Sequence, residues 1–163
     1  MISILGAVLT IAAFSAVGFG AAAEKRRRVR VAEGFAALVE HISARLPSLA
    51  VMDDIVMGFD NTALRASGVL KLLQAQNSYT PCNKRLLCAI ELQRDDTELY
   101  RLLLPMATEL GSTDYGRQKH SLETVAAQLN ALCAARRAGL ENSEKCYRWL
   151  GVLAGVTAVI LLI

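Results

Sequence analysis

The stretch MISILGAVLTIAAFSAVGFGAAA, residues 1–23, runs straight into EKRRRVR, residues 24–30. The first part has no charged side chain, and the second is mostly arginine and lysine. At the other end, WLGVLAGVTAVILLI, residues 149–163, is again free of charge. All 18 Lys and Arg and all 15 Asp and Glu lie between Glu24 and Arg148. Two apolar ends bracket one charged middle, and this division decides the architecture.

A membrane-spanning helix needs about 20 apolar residues to cross roughly 30 Å of hydrocarbon. Residues 1–23 are long enough, and Gly6, Gly18 and Gly20 leave room for close helix contact. Residues 149–163 are short. Tyr147 and a snorkelling Arg148 extend them to 147–163, and Tyr147 and Trp149 suit the headgroup level. A signal peptide carries its basic residues before the apolar run; here they follow it, which reads as an uncleaved anchor. The expected organisation is a transmembrane helix over 1–23, a cytoplasmic helical domain over 24–146 and a second transmembrane helix over 147–163.

Orientation follows from the flanking charge. Lys25, Arg26, Arg27, Arg28 and Arg30 follow the first span. Lys145 and Arg148 precede the second, with Arg136 and Arg137 a little upstream. Basic residues near a span stay on the cytoplasmic side, so both ends place the middle in the cytoplasm and both termini outside. The cluster at 25–30 is first a topology determinant and second a surface for anionic lipid headgroups. Without interleaved aromatic residues it does not read as a nucleic-acid site.

The middle reads as all-α. Phe35, Leu38, Val39, Ile42 and Leu46 form one helical stripe that Pro47 ends. A short helix follows, with Leu49, Met52, Ile55 and Val56 on one side. Ala63, Leu64, Ala66, Val69, Leu70 and Leu73 suggest a single further helix, and Asn77-Ser78-Tyr79 a break. Thr80-Pro81 offers an N-cap and a first helical residue before Leu86, Leu87 and Ile90. Asp95 is a cap that Glu98 can answer, leading into Leu99, Leu102, Leu103, Met106 and Leu110, with Pro105 expected to kink or divide that helix. Gly111 supplies a stop. Leu122, Val125, Leu129 and Leu132 stripe the last helix, which runs into the second span with at most a bend at Gly139.

Motifs for catalysis are missing from this sequence. It has no G-x-x-x-x-G-K-[ST], H-E-x-x-H or G-x-S-x-G pattern, which leaves no catalytic, cofactor-binding or metal-ligating residue to nominate. Cys82, Cys88, Cys133 and Cys146 fit no zinc spacing. A reducing compartment argues against disulfides. Cys88 and Cys133 read as small core residues, and Cys146 offers a secondary use as a lipidation site. His41 and His120 read as surface or hydrogen-bonded histidines. Asp53-Asp54 and Asp95-Asp96 are adjacent pairs that do not face each other on a helix. Gly151-x-x-x-Gly155 is a small-residue contact motif, for packing against the first span or another subunit, which admits a homo-oligomer.

Three stretches together resemble the stage III sporulation protein AB family of endospore-forming bacteria. They are Leu5-Gly6-Ala7 with Gly18, Ala22 and the arginines that follow; Leu110-Gly111-Ser112-Thr113-Asp114 with Gln118; and Glu144-Lys145-Cys146-Tyr147-Arg148-Trp149-Leu150-Gly151 with Gly155 and Val159-Ile160. The second is similar to the family's L-G-x-x-D-x-x-x-Q signature. At residues 41–49 only Ile42, Pro47 and Leu49 agree with the family pattern, and from about Asp60 to Gln93 the resemblance is slight.

The resemblance implies a non-enzymatic platform resembling the helical F-type domain of type II secretion and type IV pilus machines. Its place would be the mother-cell membrane facing the forespore, within a secretion-like channel between the two. Its partners would be the AA-type sporulation ATPase on the cytoplasmic side and the other channel subunits. Leu110, Gly111, Asp114 and Gln118 would then form the joint that sets the direction of the last helix. Two other readings stand beside it: a general membrane scaffold or regulator unrelated to sporulation, and a membrane enzyme whose site forms only in an oligomer.

Overall fold

Two long helices bracket five short ones in a computed structural model of the chain. It describes residues 2–48, 51–75, 80–110 and 114–162; within these, the side chains at 2–11, 14, 48, 141–144, 148, 151, 155, 158, 159, 161 and 162 lie outside the description. The elements are α1 (Ile2–Arg45), a 3-10 turn (Leu46–Ser48), α2 (Met52–Met57), α3 (Thr62–Ala66), α4 (Val69–Leu73), α5 (Cys82–Glu91), α6 (Thr97–Glu109) and α7 (Tyr115–Leu162). Among the described residues there is no strand, so the all-α reading holds.

The chain divides into two compact units. One joins Met1–Val29 to Ala135–Ile163, and the other is Arg30–Ala134. In the second, the stripes expected from spacing converge on one core. Phe35, Leu38, Val39 and Ile42 of α1 meet Ile55 and Val56 of α2, Leu64 of α3, and Val69, Leu70 and Leu73 of α4. Leu86 and Ile90 of α5, Leu99, Leu103 and Met106 of α6, and Leu122, Val125, Leu129 and Leu132 of α7 complete it. Burial of these aliphatic and aromatic side chains is the main force holding the helices together. Asn130 donates to Glu40 across α7 and α1 at 3.1 Å.

Local chemistry sets several boundaries differently from the spacing. The single helix expected over 63–73 is two, because Gly68 stands at φ +81° between α3 and α4, a left-handed geometry that glycine adopts at little cost. Asn61 caps α3, its side-chain oxygen accepting from Ala63 N and Leu64 N. Pro81 is the residue before α5 rather than its first helical residue, and no side chain caps that helix. At α6 the cap is Asp96, not Asp95; its carboxylate accepts from the Leu99 amide at 3.2 Å. Helix α6 continues through Pro105 undivided. Gly139 lies inside α7, which is continuous from Tyr115. Leu49 and Asn77-Ser78-Tyr79 lie outside the described residues.

Gly34 is where α1 lets another helix come close. A Cβ there would meet Leu64 Cγ at 2.8 Å and Asn61 Oδ1 at 3.0 Å. The N-terminus of α3 therefore packs against bare α1 backbone.

The two apolar ends are both helical, within α1 and α7. Among the described residues, however, no helix is long and apolar enough to cross a membrane. The expected pair of spans is thus not supported among the described residues. Within this unit Gly18, Ala22 and Val29 are buried. Large apolar side chains such as Val17 (71% exposed), Trp149 (67%) and Ile160 (70%) are not covered.

Candidate functional site

A groove lies between α6 and α7 within the Arg30–Ala134 unit. Arg101, Leu102, Pro105 and Glu109 line it from α6. Arg117, His120, Ser121, Thr124, Val125 and Gln128 line it from α7. The helical repeat explains the grouping. Residues 101, 105 and 109 fall at i, i+4 and i+8, and 117, 121, 124 and 128 recur every three or four, so each set shares one helix face. The floor is half-buried Leu102 with buried Val125, and the walls are polar. The groove holds about 520 Å³, within the roughly 300–1,000 Å³ usual for ligand clefts.

The backbone contributes as well. Pro105 has no amide hydrogen, so the Arg101 carbonyl lacks the donor one helical turn on. Thr108 turns its hydroxyl to the Pro105 carbonyl at 2.8 Å, and Thr124 donates to the His120 carbonyl at 2.9 Å. Neither Arg101 nor Arg117 has an ion-pair partner among the described residues, whereas Glu109 is already engaged by a partner. The groove is therefore cationic.

The nominated joint borders this groove. Leu110 is buried, Asp114 is exposed and Gln118 is half-buried. The Gln118 amide donates to the Asp114 carbonyl at 3.0 Å, which closes the first turn of α7. Gly111 lies outside the described residues.

The basic cluster is spread around its helix. Glu24 accepts from Arg27 Nε at 2.8 Å and from Arg28 Nε at 3.3 Å. These bonds, Arg27's first, hold the Glu24 carboxyl below its ordinary value, and Glu24 in turn raises Arg27. Arg26 also has a partner. Lys25 sits over the Tyr147 ring at 4.7 Å from its centroid, a cation–π contact that ties α1 to α7 inside one unit. Arg30 is exposed. Gly151 and Gly155 are helical, with side-chain surroundings outside the description.

Sequence reading overlooked a buried arginine. Arg85 is 8% exposed and reaches from α5 to two other segments. Its Nη1 donates to the carbonyls of Leu73 and Ala75 at 3.1 and 3.2 Å, past the end of α4, and its Nη2 pairs with Asp53 of α2. Gln74 complements it, donating to the Phe59 carbonyl at 2.7 Å. Cys82 lies beside this pair. Burial, helped by Asp53, pushes its thiol up to about 11.

The remaining residues separate by burial. Cys133 is buried, as a core residue should be. Cys88 is exposed, contrary to the core role expected for it, because α5 buries the face of Arg85, Leu86, Ala89 and Ile90, and 88 lies across the helix from it. His41 shares a 3.1 Å hydrogen bond with the Ile55 carbonyl and packs edge-on to Phe59. His120 belongs to the groove, so the two histidines serve different places. Among the described residues no group of three or more His, Cys, Asp or Glu could hold a metal ion.

The described residues define an all-helical protein whose Arg30–Ala134 unit carries an accessible cationic groove between α6 and α7. The chain belongs to the stage III sporulation protein AB family, whose model matches residues 74–163, just over half its length. The match takes in α5, α6, α7 and the whole groove. It also reaches into the 60–93 stretch where sequence resemblance is slight, and it leaves the opening apolar run outside. No match to a curated protein or to a solved structure was found.

Proposed function

We propose that this stage III sporulation protein is a membrane-anchored platform of a secretion-like channel between mother cell and forespore, and that its Arg30–Ala134 unit docks a cytoplasmic AA-type ATPase. Family membership makes it a sporulation protein. The observation that carries the rest is the continuity of α7, 48 residues from Tyr115 to Leu162. One rod begins at the groove, contributes Leu122 to Leu132 to the core and ends in the apolar segment. In this reading α7 is the element through which the platform couples its domain to the apolar segment.

Anchoring is supported by the sequence and by surface chemistry. Residues 1–23 and 149–163 carry no charge, and Val17, Phe19, Trp149, Leu153 and Ile160 are more than half exposed on these segments. A run of uncovered large apolar side chains marks a surface made for lipid or for another protein. The positive residues beside each segment put the domain on the cytoplasmic side and the termini outside.

Coupling is tested by Gly139→Pro. Proline inside a helix removes a hydrogen bond and clashes with the preceding turn, at about 3 kcal/mol. Position 139 lies beyond the last core residue, Cys133, so the domain should stay folded and still recover the ATPase while spore yield falls. Normal spore yield from a variant shown to be kinked would remove α7 as the coupling element.

A further inference from the structure

We infer that the α6/α7 groove is a docking site for an acidic peptide segment of a partner protein. Charge complementarity supports this docking. Arg101 and Arg117 line opposite walls with no carboxylate of their own among the described residues, and His120 follows Arg117 about one turn on along the α7 wall. The groove's carboxylate, Glu109, has a partner already. Two guanidiniums facing a shared cleft recognise carboxylates well, because each offers a planar fork of donors.

The rest of the lining suits a polypeptide. Leu102, Pro105 and Val125 give an apolar floor for side chains. Ser121, Thr124 and Gln128 give hydrogen-bonding groups along one wall, and the Arg101 carbonyl, freed by Pro105, can accept a backbone amide. A segment alternating carboxylates with small or aliphatic residues meets all three requirements. This rests on the platform reading only for the identity of the partner that brings the segment, the ATPase; the groove chemistry stands apart from it.

The test uses the full chain in detergent and a short fluorescein-labelled peptide rich in Glu and Leu, followed by fluorescence anisotropy. Arg101→Glu with Arg117→Glu should weaken binding at least about tenfold, since reversed charges at a docked ion pair repel as well as fail to attract. Lys71→Glu with Lys84→Glu makes the same charge change away from the groove and should leave binding within about twofold. Circular dichroism establishes that both double variants remain helical, and Arg101→Gln with Arg117→Gln serves if the first does not. The Gln-for-Glu peptide should not bind.

Equal losses in both double variants would overturn the proposal in favour of general charge attraction. Displacement of the peptide by inorganic phosphate at matching concentration would overturn it in favour of a small-anion site. The platform reading is scored separately by recovery of the ATPase with the wild-type chain. Recovery undiminished by the groove variant sinks the groove alone, and no recovery with peptide binding intact sinks the platform alone.

Discussion

Replacing Gly34 with alanine should destabilise the domain although alanine is the better helix former. In the interior of a long helix, Gly→Ala gains about 1 kcal/mol from backbone entropy. At position 34 the new methyl group would lie 2.8 Å from Leu64 Cγ and 3.0 Å from Asn61 Oδ1. Leu64 is fully buried, and the Asn61 oxygen is the one that caps α3. Overpacking of this kind costs about 1–3 kcal/mol, and a disturbed cap adds about 1 kcal/mol. The net is a loss of about 1–3 kcal/mol, read as a lower urea midpoint by circular dichroism of the detergent-solubilised chain. Gly139→Ala is the control, since nothing lies within 4 Å of a Cβ there; it should gain up to about 1 kcal/mol. Leu64→Ala in the Gly34→Ala background should recover part of the loss, so the two changes couple by about 1 kcal/mol or more. A Gly34→Ala chain as stable as wild type, or strictly additive behaviour with Leu64→Ala, would refute the close approach of α3 to α1.

Three further outcomes follow from particular side chains. Arg85→Ala strands the Leu73 and Ala75 carbonyls and unpairs Asp53; with Asp53 half-exposed, the expected loss is about 3 kcal/mol by urea unfolding, and a loss below about 1 kcal/mol would deny Arg85 its tying role. Asp96→Ala should cost about 0.5–2 kcal/mol and Asp95→Ala much less, reversing if Asp95 were the cap. Cys82 titrates near 11 when folded against an ordinary 9.0, so the folded state keeps its proton longer. Its contribution is fully present below about pH 9 and is lost as pH rises to about 11, by about 1 kcal/mol after the solvent screening of a partly exposed group. Cys82→Ala should flatten that part of the pH–stability curve, and an unchanged slope would place the thiol elsewhere.

The sequence was most legible where one face of a helix had to be apolar. Phe35, Leu38, Val39 and Ile42, and Leu122, Val125, Leu129 and Leu132, could be placed by periodicity because burial selects side chains at 3.6-residue spacing. Boundaries depended on single residues. Asp95 and Asp96 differ only in which carboxylate reaches the Leu99 amide, and the break at Gly68 depends on a backbone angle that an isolated glycine does not announce. Arg85 was missed because arginine is seldom buried. Its spacing to Leu86, Ala89 and Ile90 carried the signal, since all four share a face. Cys88 was misplaced for the same reason in reverse. The groove was not read from the sequence: Arg101, Pro105 and Glu109 recur at four-residue intervals, but which helix lies opposite is a tertiary fact that no local pattern contains.

The most direct test of the account is an affinity pull-down of the tagged, detergent-solubilised chain from sporulating cells, read by mass spectrometry. The account predicts recovery of a secretion-type ATPase together with other channel subunits. Recovery of neither, from cells shown to contain both intact, would contradict it and leave the chain a member of the sporulation family without a platform role.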